Sequence, residues 1–126
     1  RIRETSKASE DHSVMNEVDF MPVCDGPFAK NLIAFVTYVI AHPILSDWRI
    51  FCFMVVCRNK AVSLVYSKDT AQFCFLDSHT HDGNQNGSII AVSLEANFPQ
   101  MAEWSANKLF SIPPDVISQK FELSLL

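Results

Sequence analysis

An α+β domain with an antiparallel sheet is the fold class this 126-residue sequence predicts, and three observations lead to it. The length suits one hydrophobic core. Three consecutive segments rich in Phe, Val, Cys and Leu are separated by short polar turns, the pattern of a strand meander. Two further segments carry proline at a helix start followed by apolar residues at helical spacing. The composition agrees: 48% of residues are hydrophobic, 19% are charged, and ten of the residues are Phe. This places the chain with packed globular proteins.

Residues 1–18 are polar and mixed in charge, so they read as a tail or linker, and residues 19–126 as the single domain, part of a larger protein. Pro27 opens a helix expected from Pro27 to Ala41, ended by Pro43. Its apolar residues cover most of the circumference, so it should lie between other elements, although the run from Val36 to Ile40 also suits a buried strand. The strands follow at Trp48–Cys57, Ala61–Ser67 and Ala71–Asp77, with turns at 58–60 and 68–70. The first is apolar at both parities, which predicts a central strand covered on both faces. Ser88–Leu94 fits a further strand, Asn97 or Phe98 begins a second helix, Ser111–Ser118 is a Pro-Pro loop, and Phe121–Leu125 returns as a last strand.

Charge and cysteine usage narrow the function classes. A net charge of -4 lacks the basic excess that a phosphate backbone requires, so nucleic acid is not an expected partner. The longest apolar stretch, Leu32 to Ala41, is about half the ~20 residues of a membrane span, so no membrane partner is expected either. Cys24, Cys52, Cys57 and Cys74 form no CxxC pair, and three of them lie in apolar runs, which suits a reduced compartment, cytoplasm or nucleus. Cys24 stands apart: placed at a helix start, its thiolate would be favoured by the positive end of the helix dipole. The alternative for Cys24 is an ordinary structural thiol. His42 reads as a charge at the first helix's C-terminus, and Trp48 and Trp104 as core or its rim.

The third strand exits through Asp77-Ser78-His79-Thr80-His81-Asp82 into the loop Gly83–Gly87. In an extended chain residues i and i+2 share a side, so Asp77 and His79 are neighbours with Phe73 and Phe75 behind them. A carboxylate so placed can orient an imidazole and stabilise its charged form, two roles of a nucleophile–base–orienter triad. A strand-end pair with no chemistry is the competing reading. Asp77, His79, His81 and Asp82 also offer metal-ligand atoms, but a tetrahedral site normally draws on separate elements, so no metal is expected.

The run Phe73-Cys74-Phe75-Leu76-Asp77-Ser78-His79, a small-residue loop, then Gly87-Ser88-Ile89-Ile90-Ala91 resembles the Asp-x-His segment of the herpesvirus tegument-type deubiquitinating cysteine peptidases, over residues 48 to 110. The resemblance implies a papain-like fold, ubiquitin as partner, no cofactor, and a Cys-Asp-His triad in which His79 is general base and Asp77 its orienter. The family's nucleophile lies far upstream at the start of a central helix, with a glutamine before it, and no residue here matches that pattern. Cys24, 53 residues before Asp77, is the candidate replacement; the alternatives are a nucleophile preceding Arg1 or a degenerate site. The corresponding functions are a deubiquitinase-like cysteine peptidase domain, or an inactive module that binds ubiquitin or another protein.

Overall fold

The computed structural model describes residues 23–24, 26–77 and 88–126. Its described elements are β1 (Val23–Cys24), α1 (Phe28–Ile40), β2 (Ile50–Cys57), β3 (Lys60–Ser67), β4 (Gln72–Asp77), β5 (Ile89–Leu94), α2 (Phe98–Lys108) and β6 (Phe121–Leu125). Short 3-10 turns, Pro43–Leu45 and Glu95–Asn97, precede β2 and α2. The six strands form one antiparallel sheet in the order β1-β6-β2-β3-β4-β5, so the fold is α+β with the C-terminal strand inserted between the first two. The tail expected over residues 1–18 lies outside the described residues.

Local chemistry explains the elements. Pro27 precedes α1 with φ -59° and its carbonyl accepts from Asn31 N at 3.0 Å; the absent proline N–H is not needed there. The helix closes at Ala41, and Pro43 prevents a further turn. Cys57 pairs with Lys60 across Arg58-Asn59, both at positive φ (53° and 66°), a two-residue hairpin whose twist matches that of the strands it joins. The β3–β4 connection places Ala71 at φ 54° immediately before β4.

The core occupies one face of the sheet. Phe51, Phe53 and Val55 of β2, Leu64 and Tyr66 of β3, Phe73 and Phe75 of β4, and Leu123 and Leu125 of β6 are buried there. α1 contributes Phe28, Leu32, Val36 and Val39, α2 contributes Phe98, Met101 and Ala102, and the two helices pack on each other. Ring contacts bind the layers: Phe73 stacks on Phe98 at 3.9 Å, and Phe28 meets Phe121 at 4.8 Å and Phe110 at 5.3 Å. Burying rings of this size supplies about 1.5–3 kcal/mol each through area removed from water.

Three expectations change. Among the described residues β2 has helices over one face only: its burial alternates strictly, and Cys52, Met54 and Val56 are half-buried. α1 buries a single stripe, and Tyr38 is about half exposed. His42 lies beyond α1 and caps the next turn, its Nδ1 accepting from Ile44 N at 3.1 Å, instead of standing in the last turn of the helix. Of the two tryptophans, Trp48 packs on the core while Trp104 is 37% exposed.

Candidate functional site

Asp77 ends β4 on the core face, with the same parity as Phe73 and Phe75, and is 4% exposed. It pairs with Ile89 of β5. On the other side Leu76 pairs with Ser63, which sets Asp77 beside Val62; Val62 pairs with Val55, and Val55 with Leu123. A carboxylate therefore interrupts a row of aliphatic side chains on the core face, with Leu123, Val55 and Val62 on one side of it and Ile89 on the other. Burial of this kind raises the cost of the charged form and strengthens whatever hydrogen bonds the carboxylate makes. His79, with Ser78, His81 and Asp82, lies outside the described residues.

The thiols are arranged differently from the sequence expectation. Cys24 belongs to β1, where it pairs with Phe121, rather than to the start of α1. Between β1 and β4 stand β6, β2 and β3; four strand spacings make about 19 Å, well beyond the reach of a side chain two residues past Asp77. Cys24 and Asp77 are not brought together. Cys52 and Cys74 point to the opposite face from Asp77 by strand alternation, and both are half-buried.

Cys57 shares the face of Asp77. It is buried at the end of β2, two strands and one row from Asp77, about 12 Å between backbones. Burial pushes this thiol up to about 11, against a smaller lowering by Arg58. A nucleophilic cysteine needs the reverse, a thiolate favoured near neutral pH. Burial also raises Cys74. The parity of β2 could have singled out Cys57, since it has the same phase as Phe51, Phe53 and Val55.

Two polar contacts organise the surroundings. Lys60 Nζ donates to Leu109 O at 2.8 Å, tying the β2–β3 hairpin to the end of α2. Tyr66 Oη donates to Glu95 Oε1 at 2.6 Å, fastening the turn before α2 to the middle of the sheet. Burial, followed by the Glu95 hydrogen bond and charge, pushes the Tyr66 phenol up to about 12. A groove of about 430 Å³ lies between the start of α1 and the 112–117 loop, with Phe28, Lys30, Glu103 and Ile112 among its walls and neither Asp77 nor a thiol in them.

Among the described residues no group of three or more His, Cys, Asp or Glu side chains could hold a metal ion, and no helix is long and apolar enough to cross a membrane. No protein-family model matches the chain, and no curated protein does.

Proposed function

We propose that this chain is a papain-like cysteine peptidase domain of the tegument-deubiquitinase type, or a portion of one, in which His79 is the general base and Asp77 its orienter. The observation that carries the reading is the burial of Asp77 at the exit of β4, two residues before His79. An orienting carboxylate acts from a desolvated position, where its hydrogen bond to the imidazole holds the tautomer and favours the charged ring. The α+β class and the antiparallel sheet support it as well.

In that reaction a thiolate adds to the carbonyl carbon at the ubiquitin C-terminus. His79 passes a proton to the leaving amine, and the resulting thioester is hydrolysed by water that His79 deprotonates. The second reading is a non-catalytic module that binds ubiquitin or another protein. The separation of Cys24 from Asp77 and the raised thiol of Cys57 favour it.

Ubiquitin carrying a thiol-reactive C-terminus separates the two. The peptidase reading expects a covalent adduct, located by mass spectrometry, on the chain or its full-length parent, and its loss in His79→Ala. Non-covalent binding without an adduct selects the module. Neither adduct nor binding, with the protein folded, refutes both.

A further inference from the structure

A slot of about 190 Å³ opens between α1 and the start of α2. α1 contributes Ile33, Thr37 and Ile40, and α2 contributes Phe98, which stacks at 3.9 Å on Phe73 of β4. Glu95, in the turn before α2, supplies a carboxylate, and it is exposed, as Thr37 is. The slot lies at the far end of β4 from Asp77: Gln72 pairs with Leu94, the residue before Glu95, whereas Asp77 pairs with Ile89. Four residues of strand from Phe73 to Asp77 make about 14 Å.

The carboxylate is held in place. Tyr66 Oη donates to Glu95 Oε1 at 2.6 Å, and the Glu95 N–H donates to Ala71 O at 2.8 Å. One hydroxyl donor fills only part of the acceptor capacity of a carboxylate, which has about four lone-pair positions. Among the described residues no lysine or arginine side chain pairs with Glu95. A positioned negative charge therefore stands beside an apolar slot without a cation of its own among those residues.

We propose that this slot receives a lysine side chain of a partner protein, with the stem against Ile33, Ile40 and Phe98 and the ammonium on Glu95. Size, polarity and acceptor geometry select that occupant. The slot is smaller than the roughly 300 Å³ at which pockets for cofactor-sized molecules begin, so it suits a single side chain. Apolar walls beside one carboxylate match a chain that is apolar along its stem and charged at its tip. A guanidinium binds best when both carboxylate oxygens face its fork, and Tyr66 already engages Oε1; an ammonium is a point charge that needs one oxygen. The net charge of -4 also favours the approach of a basic partner. The proposal stands apart from the peptidase reading, since Asp77 takes no part in it.

Proton–nitrogen correlation spectra of the whole chain, titrated with n-butylammonium as the mimic of the lysine side chain, test it. The expected result is saturable shifts at the amides of Thr37, Ala96 and Phe98, with n-butanol and n-butylguanidinium binding about five- to tenfold more weakly. A blocked Gly-Lys-Gly tripeptide should shift the same amides. Glu95→Gln should bind the amine no better than the alcohol, and its amide oxygen can still accept from Tyr66, so its free spectrum should match the parent away from the turn. Glu103→Gln, an exposed acid on α2 outside the slot, should bind as the parent does. Shifts that never saturate or that spread over the other acidic positions overturn the proposal. Equal affinity for the alcohol, tighter binding of the guanidinium, or full binding by Glu95→Gln does the same. An amine that binds where the tripeptide does not assigns the slot to a free amine and overturns it too.

Discussion

Tyr66 and Glu95 offer the sharpest test of how the turn before α2 is held. Tyr66→Phe removes the 2.6 Å hydrogen bond and leaves the ring in contact with Phe73 (4.6 Å) and Phe51 (6.1 Å). A hydrogen bond to a charged acceptor contributes about 1.5–3 kcal/mol, and because Glu95 faces solvent the expected loss near neutral pH is about 1 kcal/mol. The pH dependence carries more information. The folded phenol is pushed from 10.0 up to about 12, so the folded state holds its proton where the unfolded chain has released it. Stability from Tyr66 is then fully present below about pH 10 and is lost as pH rises toward about 12. By about pH 11 the full shift would remove roughly 1.4 kcal/mol from the parent, and screening beside Glu95 reduces that to about 0.7 kcal/mol. Tyr66→Phe has no such loss. Cys57 titrates in both proteins, so its contribution cancels in the difference. Urea unfolding of parent and variant from about pH 8 to about pH 11 should show a deficit that shrinks to a few tenths of a kcal/mol. A deficit that is constant with pH would refute the argument, because the phenol would then gain nothing from its surroundings.

Lys60→Met should lower stability by about 1–2 kcal/mol, since it leaves the Leu109 carbonyl without its charged donor; urea unfolding measures it, and Lys60→Arg should recover part of the loss. Ala71→Gly should raise the thermal midpoint, because alanine at φ 54° bears a left-handed strain of about 1–2 kcal/mol that exceeds the entropy cost of glycine. Asp77→Asn turns one acceptor oxygen into a donor at a site 4% exposed and should cost about 1–3 kcal/mol; an unchanged unfolding midpoint would show that the carboxylate makes no hydrogen bond that matters to the fold.

What the sequence revealed divides along local and non-local lines. The Arg58-Asn59 turn, the strand ending at Asp77 and the proline-led starts of both helices depend on residues within a few positions of each other, and they appear where the pattern places them. Cys24 reads as part of a helix start because the partner that makes it a strand, Phe121, is almost the whole domain away in sequence. Bonds such as Lys60 to Leu109 and Tyr66 to Glu95, 49 and 29 residues apart, leave no local trace. Apolar residues at both parities of β2 predict coverage on both faces. Parity reports which residues avoid water, and it carries no information on whether the covering layer belongs to the same domain or to another molecule.

That ambiguity falls on one side of the sheet. The strand pattern assigns opposite tasks to the two sides of one sheet: β4 sends Phe73, Phe75 and Asp77 inward and Cys74 and Leu76 outward. The inward side buries Asp77, the condition under which a carboxylate can steer an imidazole. The outward side has strand residues of the same apolar character and no helical layer among the described residues. Among the described residues that outward face and the β5 edge have no cover, and an apolar face left so is open to association. Whatever covers the outward face leaves Asp77 untouched, because the carboxylate lies on the inward side.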